Sequence, residues 1–467
     1  MAPPNCYQTG SVFTVKQEWG DPLRHGVVPG PEPAPPFEAW FHVAVVQFED
    51  DGRPADPSQL EAARQTILEA RRSGEDGAIV VVFIHGWHHN AAWNRTASTP
   101  TTDPDGDEHF HAFRLLLESL ALRELERPHW RRVVGVYVGW NGDPEEGVLR
   151  HLSRAGPLTH GTFWDRYPVA ERIGAGAAFQ DALRTIITTT KEPLPAMAGQ
   201  PTPSAAESPL VMIGHSMGAL MLESGLLALL EDGRLARPAQ TSTVGAVRLE
   251  SRQGLVWFPD LILALNSAAN SRIAKSILEA LTRHGLEKTA SSSTGSIKFA
   301  PPIMMSVTSA GDTITRDVWR AAQLVFALGR KTDGHDASLF THDFALTQAE
   351  SVCNKQEDVP DFGQNWHCLR IPSPAIGMRP AIPVDLPTRD RQGVTEQQVP
   401  HARYTITPRG DLNERRLMWV FQVPPEVIKD HNDIFNTKAR SLILALIQIS
   451  GAVASLAEDW GDSFEPE

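Results

Sequence analysis

Pro209-Leu210-Val211-Met212-Ile213-Gly214-His215-Ser216-Met217-Gly218-Ala219-Leu220 is the stretch on which the reading of this chain turns. Leu210 to Ile213 is a short apolar run of the kind that forms a strand buried on both faces. Met217 to Glu231 carries apolar residues over helical length. Between them lies G-x-S-x-G, and a strand that turns straight into a helix at such a pentad forces its central serine into a strained backbone conformation. Glycines two residues to either side leave room for the neighbouring chain. The turn lifts the Ser216 hydroxyl clear of the sheet and sets it at a helix N-terminus, where backbone N–H groups favour developing negative charge. Ser216 is therefore the candidate nucleophile, with Gly214 and Gly218 as the residues that permit the turn.

Reading outward, the same alternation recurs. Ile79 to Ile84 (IVVVFI) holds six consecutive apolar residues, all but Phe83 β-branched, and is the strongest strand signal in the chain. Trp40 to Phe48, Val133 to Val138, Leu261 to Leu265, Ile303 to Val307 and Leu417 to Val423 are further strand candidates. Helical patterns run over Ser58 to Arg72, Phe110 to Leu125, Val169 to Thr188, Ser271 to His284, Arg316 to Leu328 and Lys438 to Leu456. Strands separated by helices imply βαβ units and a mostly parallel central sheet with helices on both faces. The expected organisation is an extended Pro/Gly-rich N-terminal arm over 1–36, then one α/β domain over 37–467. Insertions interrupt that domain near 90–108, 141–168, 189–208, 234–258 and 331–412, where such folds place specificity loops.

Composition narrows the function classes. The chain has 467 residues, 41% of them hydrophobic, enough for a real core. Its 43 Lys+Arg against 56 Asp+Glu give a net charge of −13, which argues against nucleic acid or an anionic membrane surface as partner. No apolar run reaches the roughly 18 residues that a spanning helix needs. The N-terminus lacks the pattern of a signal peptide, which favours a cytoplasmic location. Cysteines number three, too few for a disulfide scaffold. Cys353 and Cys368 bracket a loop-like stretch and are the pair that an oxidising compartment could join. Oligomeric state is open.

The pentad at 214–218, the His85-Gly86 pair after strand 79–84 and the order of the candidates below resemble the α/β-hydrolase superfamily, and most of all its lipase/esterase branch. The resemblance spans roughly residues 40–455. It implies an oxyanion hole built from the backbone N–H groups of Trp87, in the HG-x step, and of Met217, the residue after the nucleophile. A glycine at 86 suits a backbone that must approach a substrate carbonyl closely.

Chain order in that fold runs serine, acid, histidine. Asp312 follows strand 303–307 in Thr308-Ser-Ala-Gly-Asp312 and takes the acid position, although an Asp there also suits a helix N-cap. Asp260 precedes its strand, and Asp317 falls within the following helical pattern. Asn266-Ser-Ala-Ala-Asn270, after strand 261–265, offers no acid. Among 17 histidines, His431 lies between the last strand and the last helix, where the resemblance puts the base. His342 is the alternative, followed by His401 and His367. These roles imply a serine hydrolase that cleaves carboxylic esters through an acyl-enzyme and needs no cofactor. An acyltransferase with the same triad, or a non-catalytic scaffold acting as a binding module, are the competing readings.

Other patterns are weighed and set aside. His85, His88, His89, His109 and His111 do not form a metal-ligand spacing such as H-E-x-x-H. Asp103-Pro-Asp105-Gly-Asp107 lacks the glycine and terminal acid of a calcium loop and reads as a solvated acidic loop. Ile173-Gly174-Ala-Gly176 sits in a helical pattern without the third glycine of a dinucleotide loop. Trp87, Trp93, Trp140, Phe163, Trp164 and Tyr167 are either an apolar acyl or alcohol pocket or ordinary packing under long loops.

Overall fold

The structure is a computed structural model, and it describes residues 12–18, 38–74, 76–91, 107–125, 130–142, 161–194, 208–235, 257–283, 303–309, 311–315, 418–423, 425 and 427–450. The helix expected over Arg316 to Leu328, the insertion at 331–412 with His342, His367 and His401, and all three cysteines lie outside the described residues.

Eight strands form one sheet: β1 (Val12–Glu18), β2 (Glu38–Phe48), β3 (Ala78–Ile84), β4 (Arg132–Trp140), β5 (Leu210–His215), β6 (Leu261–Leu265), β7 (Met304–Ser309) and β8 (Met418–Val423). Their spatial order is β1-β2-β4-β3-β5-β6-β7-β8. Every pairing is parallel except β1 with β2. The antiparallel edge strand comes from the segment expected to be only an extended arm. Its Val12–Glu18 alternates Val, Thr and Lys, and it binds β2 through the backbone ladder, so the sheet reaches into the first 36 residues.

Helices connect the successive parallel strands from β2 through β7, as a parallel sheet requires. They are α1 (Ser58–Ser73), α2 (Glu108–Leu125), α3 (Gly161–Ala175), α4 (Ala177–Lys191), α5 (Met217–Glu231), α6 (Ser271–Arg283) and α7 (Thr437–Ile449). The single helix expected over 169–188 is two. The chain breaks at Gly176, whose extended backbone (φ −74°, ψ 139°) makes it the N-cap of α4, and α3 begins inside the expected 141–168 insertion. Gly174 serves close helix packing: a Cβ there would stand 2.9 Å from Met221 Cα on α5.

The alternation of side chains along β3 divides the core. Val80, Val82 and Ile84 face a layer containing Ile67 of α1, Ile173 of α3, Ile186 of α4, Leu222 of α5 and Ile277 of α6. Ile79, Val81 and Phe83 face the opposite layer with Phe113 of α2 and Ile443 of α7. All seven residues of β3 are buried, which is why the segment reads as a continuous apolar run rather than an alternating one. Among the described residues no helix is long and apolar enough to cross a membrane.

Parallel register decides where the chemistry collects. Ile84 pairs with Gly214, His215 with Leu265, Leu265 with Val307, and Ser309 with Val423. The carboxyl ends of β3, β5, β6, β7 and β8 therefore lie along one edge, and the residues that follow them are brought together.

Candidate active site

Ser216 follows β5 with φ 54° and ψ −121°, a conformation that costs an L-residue about 1–3 kcal/mol and persists only where its surroundings impose it. They do. Its N–H donates to Leu265 O (3.0 Å), and its carbonyl accepts from Ala219, Leu220 and Ala268. The flanking glycines are required by contact rather than by torsion. A Cβ on Gly214 would lie 2.5 Å from Ala219 Cα, and one on Gly218 would lie 2.3 Å from Ile84 O. Strand, turn and helix are thus pressed together with no room for a methyl group.

The Ser216 hydroxyl donates to His431 Nε2 at 2.7 Å. His431 Nδ1–H donates to Asp312 Oδ2 at 2.9 Å, a tautomer that follows from what each nitrogen faces. Ser216, His431 and Asp312 are 1%, 4% and 2% exposed, so this relay is shielded from solvent. Asp312 accepts in addition from Thr315 Oγ1 (2.6 Å) and from the N–H groups of Ile314 and Thr315. It therefore caps the turn that follows and holds the imidazole at the same time. Burial pushes the Asp312 carboxyl up, but His431 and these hydrogen bonds outweigh it, and its pKa lies below the ordinary carboxylate value. Asp260 lies at the other end of the sheet, bonded to Lys191 and to Leu210 N–H.

The His85-Gly86-Trp87 step lies beside the serine. A Cβ on Gly86 would stand 2.6 Å from His215 Nδ1 and 2.8 Å from Ser216 Cβ. His85 is a fastener beneath this step. Its Nδ1–H donates to Gly86 O, its Nε2 accepts from Trp140 N–H, and the Trp140 indole N–H donates to His85 O. The two rings stack at 5.8 Å and 6°. Burial pushes the His85 imidazole down to about 4, so it stays neutral and keeps this pattern. Trp87, Trp140 and Tyr167 are each 3% exposed and pack in the same core layer. Trp93 and the side chains of Phe163 and Trp164 lie outside the described residues. Met217, the first residue of α5, has no carbonyl one helical turn back for its N–H to bond, and such groups favour an anion.

Behind the site the structure corrects one expectation. Asp107 is not part of a solvated loop; its side chain is 5% exposed. It accepts from His89 Nδ1–H (3.2 Å), Asn90 N–H (3.0 Å), Tyr137 OH (3.2 Å) and Phe110 N–H (3.1 Å), pinning loop 85–91 to the start of α2. Burial pushes its carboxyl up, but the neighbouring histidines and the His89 bond bring it below the ordinary range. The His89 and His109 rings stack at 3.4 Å, and burial drives the pKa values of His109 and His215 well down. His109 and His215 donate through Nε2 to the carbonyls of Asn432 and His431, so these histidines support the loop that carries His431. Among the described residues no group of three or more His, Cys, Asp or Glu is arranged to hold a metal.

Sequence reasoning did not find Thr315, Asp107 or the carbonyl-holding roles of His109, His215 and Asn266. The three-residue offset from Asp312 to Thr315 offers a turn signal at most, and apart from the local bond from Phe110 N–H to Asp107 the other contacts join residues far apart in sequence.

No protein-family model matches the chain, and no curated protein matches it. Among solved structures it is similar to an uncharacterized protein from Pseudomonas aeruginosa, at 10% identity and a TM-score of 0.29. That match covers 87% of this chain and 52% of the other, so this chain spans about half the length of that protein.

Proposed function

We propose that this protein is a serine hydrolase of the α/β-hydrolase type, cleaving carboxylic esters through an acyl-enzyme on Ser216. The observation that carries the reading is the buried relay from Ser216 Oγ to His431 Nε2 and from His431 Nδ1 to Asp312 Oδ2, at 2.7 and 2.9 Å. A serine held at a strained strand–helix turn and bonded to an imidazole that is oriented by a carboxylate is the arrangement nucleophilic acyl transfer needs.

In this reading Ser216 Oγ attacks the ester carbonyl as His431 Nε2 takes its proton. The negative charge that forms on the carbonyl oxygen is met by the N–H groups of Met217 and Trp87, each such donor contributing about 10²–10³ in rate. His431 returns the proton to the departing alkoxide, leaving the acyl group on Ser216 and an alcohol. Water, deprotonated by the same imidazole, then releases the acid and restores the serine. Asp312 stays ionised throughout and stabilises the imidazolium. Each step draws on the protein's own residues, and the substrate is an ester with an apolar acyl or alcohol part.

The test is covalent labelling by a fluorophosphonate together with hydrolysis of p-nitrophenyl esters of increasing acyl length. The wild-type protein labels at Ser216 and turns over one or more of these esters, and Ser216→Ala does neither. A folded wild-type protein that neither labels nor hydrolyses refutes the proposal. Product analysis with competing alcohols distinguishes water from an alcohol as the acyl acceptor.

A further inference from the structure

Asn266 is the first residue beyond β6, fully buried, with φ 44°. Asparagine is among the few residues that tolerate this left-handed region. A buried primary amide is costly unless its donors and acceptor are all used. Here each is used, and the partners come from two particular segments. Oδ1 accepts from Ser309 N–H at 2.8 Å. Nδ2 donates to His431 O at 2.9 Å and to Asp430 O at 3.3 Å. One side chain thereby ties the turn that ends in Asp312 to the loop that contains His431.

The surrounding bonds run in the same direction. His215 Nε2–H donates to the same His431 carbonyl at 2.8 Å, filling its second lone pair. Ser309 Oγ donates to Ile428 O at 2.5 Å, and Ser309 O accepts from Asp312 N–H at 3.1 Å. Gly311 lets the two segments touch, since a Cβ there would lie 2.2 Å from Lys429 O. A residue needed only to fill the tip of β6 would be apolar, as Leu265 before it is.

We propose that Asn266 is a positioning residue: its amide joins the acid-bearing turn to the base-bearing loop and so fixes the His431 ring between Asp312 and Ser216. Its effect on turnover rests on the serine-hydrolase reading above, whereas its effect on the imidazole does not. Asn266 meets no reacting atom and acts only through the placement of His431.

The first test is Asn266→Gly, which accepts φ 44° without strain and deletes the amide. For p-nitrophenyl ester hydrolysis kcat falls about 10–100-fold, the loss expected when a reacting group drifts by a fraction of an ångström to an ångström, while KM stays within about two-fold. The far-downfield NMR resonance of His431 Nδ1–H, sharp in the wild type, shifts or broadens. This second measurement requires no turnover. A wild type that neither labels nor hydrolyses would defeat the hydrolase reading, and the NMR comparison would still decide the positioning role. Asn266→Asp is isosteric and tolerates the same φ, and it serves if the glycine variant does not fold. Its carboxyl donates when protonated but only accepts when ionised, and then it opposes two carbonyls. Its activity relative to wild type, or its imidazole resonance, therefore worsens from about pH 6 to about pH 9. An Asn266→Gly protein with kcat within about two-fold of wild type and an unmoved resonance overturns the proposal, as does an Asn266→Asp protein that matches wild type in both throughout that pH range.

Discussion

Substituting Gly86 by alanine tests how closely the His85-Gly86-Trp87 step and Ser216, the proposed oxyanion step and nucleophile, are fitted. The added Cβ lands 2.6 Å from His215 Nδ1, 2.8 Å from Ser216 Cβ and 3.0 Å from His215 Cε1. Neither neighbour is free to retreat. The His215 ring is held by its 2.8 Å bond to His431 O, and Ser216 is held by its N–H on Leu265 O and by three N–H groups on its carbonyl. Ordinary van der Waals separation demands a shift of about 0.6–0.8 Å, taken either by the serine or by the 85–87 backbone that carries the Trp87 N–H. Each route misaligns attack or oxyanion stabilisation. A misplacement of this size costs about 10–100-fold in kcat, with KM changed much less. Overpacking of this kind also costs about 1–3 kcal/mol of stability. The assay is fluorophosphonate labelling rate and p-nitrophenyl ester kcat and KM, with thermal melting alongside. Gly233→Asn is the control, because nothing lies within 4 Å of a Cβ there and its φ of +66° suits asparagine. A Gly86→Ala protein that labels and turns over within about three-fold of wild type refutes the close-fit argument.

Other outcomes follow from the same coordinates. Asp312→Asn keeps a capping side chain for the turn but loses the charge that orients His431, so kcat falls by about 10⁴ with little change in melting temperature. Asp260→Ala leaves Lys191, 3% exposed, without its carboxylate and lowers stability by about 3–5 kcal/mol in denaturant unfolding, while the labelling rate of Ser216 is unchanged because that pair lies at the opposite end of the sheet. Folded-state pKa values of His85, His109 and His215 are all depressed, so between the unfolded value near 6.5 and the lower folded values the unfolded chain binds more protons. Stability is therefore full above about pH 6.5 and declines as pH falls toward 4. His109→Gln, which keeps a side-chain donor for Asn432 O, makes that decline shallower by about one proton in pH-dependent melts; an unaltered slope refutes the assignment.

The parts of the fold legible in the sequence are those with local causes. Six β-branched or aromatic residues at 79–84 have no stable place but a buried strand, and β3 is found at Ala78–Ile84. The pentad at 214–218 dictates its own turn through steric necessity, and the φ of 54° at Ser216 follows. His431 was distinguishable among 17 histidines only by its place between the last strand and the last helix, and the structure sets its ring against Ser216 and Asp312. Asp312 both caps the turn at 312–315 and holds the His431 ring, because Oδ1 accepts from the backbone N–H groups of that turn while Oδ2 faces His431. What could not be read had non-local causes. Asp107 looked solvated amid Asp103, Asp105 and Glu108, and only the arrival of Tyr137 and His89 from other elements buries it. Asn266 stood out only as part of a stretch without an acid, because its partners lie 43 and 165 residues away. The α3–α4 break was obscured because Val169 to Thr188 keeps helical spacing through Gly176.

The lateral order of the sheet has a consequence for biosynthesis. β5, followed directly by the serine, is central, yet its imidazole partner comes from a segment more than two hundred residues later, beyond β8. A nascent chain released from the ribosome tunnel only as far as β7 lacks the edge strand β8, and its serine alcohol has no partner from residue 431. Long-range closure of this sort is slow to form and arrives last. The hydrogen bond that Ser216 makes to residue 431 can therefore form only once the chain has emerged through the loop that follows β8.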